Sequence, residues 1–443
     1  MAAKPCGASR ERWRHGVAGG SGRITGVPPH DTLIRKMRIG LLFCLSAIAV
    51  AQPAADLLKD PAVHAALEAV RRDEPRTLDQ EMRVCAIPAP PFKEAERGRE
   101  LKRLFDELGL RDTRIDRAGN VIGVRPGQAA HPNLVFAAHL DTVFPEGTGV
   151  KPSREGDLLK GPGIGDDCRG LAVMLETIRA LDQARVRTPG TVTFVADVGE
   201  EGLGDLRGMK ELFPASLKGQ IDKFVSVDGT GLGITTVGVG SLRYRVTFKG
   251  PGGHSFGNFG MANPIQAMGR AIAKIDAFEV PRQPKTTFNV GRVGGGTSVN
   301  AIPYEGWMEV DMRSSDPAAL KALDAKFHAA LRQAVEEENQ RWENRGAVAV
   351  TAEQVGVRPA GQTAQASPIV QTALAVSKAL NLESALGEGS TDSNVPMNLG
   401  IPAITIGGGG IGTGAHSLNE TFDARDSWRG TQRALLLAIA LAR

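Results

Sequence analysis

Asn133-Leu-Val-Phe-Ala-Ala-His139-Leu-Asp141-Thr142 joins a short apolar run to a histidine and an aspartate. Runs of this kind, with β-branched or aromatic residues, read as strands buried on both faces, which parallel α/β sheets require. Thr191-Val-Thr-Phe-Val-Ala196, Phe224-Val-Ser-Val227 and Ala403-Ile-Thr-Ile406 resemble it. Each run leads to polar residues: Glu200 and Glu201, then Asp228, then a Gly-rich loop ending at His416. In an open α/β sheet the strand ends converge on one crevice, so residues distant in sequence meet there. The fold class expected is therefore α/β with a mostly parallel central sheet.

Outward from these strands, Leu101, Leu104, Phe105 and Leu108 recur at helical spacing, as do Leu171, Met174, Leu175, Ile178 and Leu181. The pattern changes after Gly238. Leu242 to Phe248 alternates as a half-exposed strand, Asn263 to Ala277 is helical, and Thr286 to Val293 and Trp307 to Arg313 read as strands. A long helix carrying Leu320, Leu323, Phe327, Leu331 and Val335 precedes a last strand at Val348 to Glu353. The order βαββαβ is the ferredoxin-like arrangement. Four segments are expected: 1–51 as extension and signal peptide, 52–238 and 357–443 as two parts of one α/β domain, and 239–356 as an insertion.

The net charge of +4 over 443 residues is misleading. Residues 1–51 hold eight Lys/Arg and two Asp/Glu, +6, leaving the remainder at about −2 by the same count. With no basic cluster interleaved with aromatics, nucleic-acid binding is not expected. Met37-Arg38-Ile39-Gly40 followed by the apolar Leu41–Val50 and Ala49-Val50-Ala51 reads as a signal peptide cleaved after Ala51. The apolar stretch is too short to span a bilayer, so a stable membrane anchor is not expected. A periplasmic or secreted location follows. Beyond this leader only Cys85 and Cys168 remain, too few for a disulfide framework, and Cys168 reads as a buried small hydrophobe.

His139 and His416 offer imidazoles, and Asp166, Glu201 and Asp228 offer carboxylates. That mixture suits Zn²⁺, with Co²⁺ or Mn²⁺ also accommodated. Five ligands are too many for one catalytic zinc and suit two if a carboxylate bridges. Asp141 is placed to accept the other imidazole N–H of His139, and Glu200 is the candidate general base. Taken singly, each fragment is an ordinary solvated strand end; only the set points to a site.

Phe136-Ala-Ala-His-Leu-Asp-Thr142, Gly161-Pro-Gly-Ile-Gly-Asp-Asp167, Gly199-Glu-Glu-Gly202, Ser226-Val-Asp-Gly229 and Gly414-Ala-His-Ser-Leu-Asn-Glu420 occur in order. Together they resemble the motifs of the zinc family that includes peptidase T, carboxypeptidase G, aminoacylase and succinyl-diaminopimelate desuccinylase, over residues 56–443. The resemblance implies a zinc-exopeptidase-like catalytic domain and an inserted dimerisation or lid domain. It also implies that Asp166 bridges two metals, with His139 and Asp228 on one and Glu201 and His416 on the other. Asp167, adjacent, is the alternative bridge. Gly250-Pro-Gly-Gly-His254-Ser255 resembles the segment whose histidine reaches across a homodimer to stabilise an oxyanion. Asn300 and Arg313 lie in segments that resemble substrate-holding ones. Where many relatives place a lysine after the paired aspartates, this chain has Cys168-Arg169-Gly170.

The expected function is an exported dizinc exopeptidase acting on short peptides. An N-acyl-amino-acid amidohydrolase shares the same metal shell and is the alternative. A non-catalytic metal- or peptide-binding protein would be marked by an eroded ligand or base, and none is eroded. A single-metal hydrolase differs only in metal stoichiometry.

Overall fold

A computed structural model describes residues 54–443. The leader and cleavage site expected within residues 1–51 lie outside the described residues. Helices α1 (Pro61–Arg72), α2 (Glu74–Cys85) and α3 (Ala95–Glu107) open the described chain. Strands β1 (Arg111–Ile115), β2 (Val121–Arg125) and β3 (Asn133–His139) follow, then α4 (Cys168–Gln183), β4 (Thr191–Asp197), β5 (Lys223–Val227) and β6 (Ile234–Gly238).

The chain then builds β7 (Gly240–Lys249), α5 (Pro264–Asp276), β8 (Thr286–Gly295), β9 (Glu305–Ser314), α6 (Pro317–Arg341) and β10 (Ala349–Arg358). It returns through β11 (Gly361–Gln362), α7 (Pro368–Ala379), β12 (Leu386–Gly389), β13 (Ala403–Ile406) and α8 (Trp428–Leu441).

The main sheet has the order β1-β2-β4-β3-β5-β13-β6-β11, with β12 also on β6. Its centre, β4-β3-β5-β13, is parallel throughout. Every residue of β3 and β4 is buried, because helices cover both faces. One face packs on α1, α4, α7 and α8 around Phe136, Phe194 and Leu436, and the other on Met209, Leu212 and Met397. With no solvent-facing side, these strands need no polar alternation.

The second sheet is antiparallel, with order β8-β9-β7-β10. Burial in β9 alternates strictly residue by residue. Tyr244, Val246, Val310 and Met312 pack against α5 and α6, among them Leu323 and Phe327 of α6. Asn263 and Asp316 cap α5 and α6 through their side chains, each followed by Pro at the first helical position. Strand β10 runs to Arg358, five residues beyond the end expected from alternation. A bulge between Gln354 and Gly356 lets pairing with β7 resume.

Candidate active site

Strand β3 ends at His139, whose Nε2 lies 3.1 Å from Asp166 Oδ1 and 4.0 Å from Asp228 Oδ1. The second oxygen of Asp166 lies 3.1 Å from His416 Nε2, which is also 3.0 Å from Glu201 Oε1. Asp166 thus divides its carboxylate between two imidazoles that are 277 positions apart in sequence, residues 139 and 416. Two ligand groups have donor atoms within 4.8 Å of one another: His139, Asp167 and Asp228, and Asp166, Glu201 and His416. Such oxygen and imidazole sets fit borderline divalent cations, and the shared carboxylate fits a pair of them.

Asp167 meets the distance criterion on the His139 side, yet its oxygens already accept the main-chain N–H groups of His139, Gly170 and Gly229. It is fully buried and caps α4. Asp166 faces the cleft, so of the two it is the better bridging ligand. Glu420 holds this segment by accepting from the N–H groups of Gly163, Gly165 and Asp166. The departure at Arg169 has a structural role as well. Its buried guanidinium donates to the carbonyls of Gly408 and Ser427 and to Thr431, tying α4 to the loop before His416 and to α8.

Asp141 acts differently from the sequence expectation. His139 Nδ1 is 2.9 Å from the main-chain oxygen of Asp141 and 3.8 Å from its carboxylate. The carboxylate instead accepts from the N–H groups of Gly199, Glu200 and Glu201. The reason is geometric: at two residues' separation the ring reaches the carbonyl, which leaves the side chain to organise the neighbouring loop.

Burial raises the Glu200 carboxyl to about 7, opposed by Arg358 and assisted by Glu201. Its Oε1 is 2.8 Å from Arg358 Nη1, and Arg358 also donates to the Glu200 carbonyl. Hydrogen bonds donated by its ring to the Asp166 and Glu201 carboxylates raise His416 to about 10. Burial opposes a charge on His139, but Asp166, Asp167 and Asp228 outweigh it and hold its pKa well above the usual value. Desolvation also pushes Asp228 far up. A divalent cation would relieve this crowding of carboxylates by displacing the imidazole protons. Asp197 and Asp392 are fully buried and face each other, with no other hydrogen-bond partner among the described residues. Burial raises Asp197 to about 7 and Asp392 well above its usual range.

The cleft over these residues has a volume of about 400 Å³. Asp166, Glu200, Glu201, Asp228 and His416 form one wall, and the opposite wall carries Arg243, Arg313 and Arg358 from the second sheet. Arg313 was expected here; Arg243 and Arg358 were not. The alternation of Leu242 to Phe248 places Arg243 opposite the apolar face, a signal that was available, whereas the reach of Arg358 depends on the β10 bulge. His254 and Asn300 do not line this cleft. His254 ends the exposed two-residue strand Gly253–His254, and Asn300 lies in the exposed turn just before its pairing partner Ala301–Ile302. The cysteine reading is corrected: Cys85 and Cys168 form a disulfide, with Cα atoms 5.4 Å apart, joining the end of α2 to the start of α4. Sequence spacing carried no sign of this, because packing of α2 on α4 creates the proximity.

The profile of peptidase family M20/M25/M40 matches residues 135–440. The chain is 28% identical over 352 residues to the uncharacterized protein YqjE of Bacillus subtilis, a match covering 75% of this chain and 90% of that one. It is 28% identical to carboxypeptidase G2 of a Pseudomonas strain, over 60% of this chain and 64% of the relative. Among solved structures, aminopeptidase PepT of Bacillus cereus superposes with a TM-score of 0.67 at 24% identity, covering 83% of this chain and 98% of that chain.

Proposed function

Since the chain belongs to peptidase family M20/M25/M40 and is a metal-dependent hydrolase of peptide or other amide bonds, we propose that it is an exported two-zinc exopeptidase acting on short peptides. The observation that carries this reading is the Asp166 carboxylate, one oxygen on His139 and the other on His416, beside a buried Glu200. His139, Asp166 and Asp228 would hold one ion, and Asp166, Glu201 and His416 the other. Such a pair, when bound, lowers the pKa of a water and polarises the scissile carbonyl.

The remaining steps belong to the chain. Glu200 accepts the proton of the attacking water and delivers it to the leaving amine. Asp141 holds the Glu200 and Glu201 main chain in place, and Arg358 sets the direction of the Glu200 carboxylate. The exposed Phe256, Phe259, Val299 and Tyr304 around His254 form an apolar surface suited to a second copy of the chain. In that homodimer the βαββαβ block is a ferredoxin-like dimerisation and lid domain, and His254 of the partner subunit donates to the developing oxyanion. Export is supported by the apolar Leu41–Val50 stretch and by the Cys85–Cys168 bond, since disulfides persist in oxidising compartments.

Elemental analysis of purified residues 52–443, paired with amine release from di- and tripeptides and N-acyl amino acids, tests the reading. About two zinc equivalents per chain and chelator-sensitive peptide cleavage are expected. Cleavage of acyl amino acids alone would replace the peptidase with a deacylase, and bound metal without turnover of any amide would overturn both.

A further inference from the structure

Resting on the reading of Glu200 as the base, we propose that Asp205 and Lys210 are positioning residues for it: by gripping the main chain of Val357 they fix the point from which Arg358 reaches the Glu200 carboxylate. β10 lies at an edge of the second sheet, and its pairing with β7 is interrupted between Gln354 and Gly356 before Val357 and Arg358 resume it opposite Leu242 and Ser241. A strand end beyond a bulge, on an edge, has one neighbouring strand to hold it. Here two side chains hold the other side. Asp205 Oδ1 accepts from the Val357 N–H at 2.8 Å, and Lys210 Nζ donates to the Val357 carbonyl at 2.8 Å. Lys210 Nζ also donates to Asp205 Oδ2, so the two side chains act as one clamp. Gly356 leaves room for it, since a Cβ there would lie 3.3 Å from Asp205 Oδ1 and 3.2 Å from Arg243 Cδ.

The clamp grows from the same loop as the base. Asp141 holds the N–H groups of Gly199, Glu200 and Glu201, and the loop closes where the Gly199 carbonyl accepts from the Leu206 N–H at 2.7 Å. Asp205 and Leu206 both lie in the left-handed region, each with φ 56°. That conformation is uncommon outside glycine and persists where the surroundings over-determine it. Burial of the Leu206 side chain and its bond to Gly199 do so here. The two residues turn the chain into the short helix Arg207–Glu211, which brings Lys210 back beside Asp205 at Val357. A closed circuit results. It runs from Glu200 through Asp205 and Lys210 to Val357 and Arg358, then returns through Arg358 Nη1 to Glu200 Oε1 at 2.8 Å and through Nη2 to the Glu200 carbonyl.

Hydrogen bonds weaken steeply with misalignment, so a shift of Val357 displaces the origin of Arg358 and with it the direction of the Glu200 carboxylate. The clamp itself is replaceable. The Asp205 and Lys210 side chains are 21% and 38% exposed, so removing either leaves its partner in reach of water. A clamp that only covered the edge of β10 would change stability without reaching the chemistry at Glu200.

The test is a double-mutant cycle between Asp205 and Arg358 on the zinc-loaded protein, read in two ways. With a di- or tripeptide cleaved by the parent, Asp205→Ala should lower kcat on the order of tenfold at nearly unchanged KM and zinc content, the mark of a displaced base. Lys210→Met should act alike, and Asp205→Asn, which keeps an oxygen for the Val357 N–H, should recover most of the loss. Adding Asp205→Ala to Arg358→Met should cost little beyond Arg358→Met alone, because both break one circuit. Tm without substrate should show the same lack of additivity. A change in KM alone, Asp205→Asn no better than Asp205→Ala, or kcat losses that multiply in the double variant would reduce the clamp to edge covering and leave the peptidase reading intact. Additive Tm losses overturn it whether or not a peptide is cleaved. Non-additive Tm losses with no amide cleaved by the parent would keep the clamp on Glu200 and sink the reading of Glu200 as a base.

Discussion

Glu200 Oε1 and Arg358 Nη1 are 2.8 Å apart, although Glu200 follows a strand of the main sheet and Arg358 ends a strand of the other. The candidate base is thus oriented by a cation from the last strand of the second sheet, so the two sheets are chemically coupled at the cleft.

Glu200 acts as a base only when ionised, and its pKa of about 7 in the metal-free site will be lowered by bound cations. kcat/KM should therefore rise with pH along an acid limb below about 7. Arg358 favours the ionised form, so Arg358→Met should move that limb to higher pH, while Glu200→Gln should keep the metals and lose on the order of a hundredfold or more in kcat. An unshifted limb in Arg358→Met would remove the coupling.

Both imidazoles are raised, His416 to about 10, so the metal-free protein holds them protonated at pH 7. Metal ligation requires the neutral rings, so binding must release these protons and apparent affinity must rise with pH. Calorimetric titration with zinc in buffers of different ionisation enthalpy should show more than one proton released per chain. Release near zero would mean that the histidines are not ligands.

Asp197 is raised from 3.8 to about 7 by burial. The folded state therefore holds its proton more tightly than the unfolded chain, and stability is lost as pH rises from about 4 to about 7. Asp197→Asn removes a charge that the desolvated surroundings, with Asp141 and Glu200, oppose. Its Tm should exceed that of the parent at pH 8 and approach it at pH 5; a lower Tm at pH 8 would show that the pair is satisfied in another way.

The Cys85–Cys168 bond closes a loop of 83 residues immediately after Asp166 and Asp167. Cys85→Ser should cost roughly 2–5 kcal/mol, read as a lower Tm, and should weaken zinc binding by loosening the start of α4. Unchanged zinc affinity would separate the bond from the site.

His254→Ala and Glu200→Gln chains should each be nearly inactive, yet mixing them should restore activity. The heterodimer retains one site with Glu200 from one chain and His254 of the partner subunit. Mixed samples no more active than their parts would end the cross-subunit role.

Much of the site was legible because its residues follow buried strands. β3, β4, β5 and β13 have short apolar sequences, and the positions at or just after their ends carry His139, Glu200, Glu201 and Asp228, so strand ends and ligands could be read together. Arg243 and Arg358 were missed for an opposite reason. An arginine on an alternating strand looks like an ordinary solvated residue, and only the approach of the second sheet to the first turns that face into a cleft wall.

The sequence by itself determined the strands, their parallel centre and the residue types at their ends, since hydrophobic periodicity and short-range chemistry act locally. Tertiary structure alone decided that Asp166 rather than Asp167 faces the cleft, that the Asp141 carboxylate serves a loop rather than an imidazole, that Cys85 meets Cys168 and that three arginines oppose the acidic wall. Each of these depends on contacts between segments remote in the chain, where direction and distance are set by packing and by which main-chain donors a carboxylate finds first.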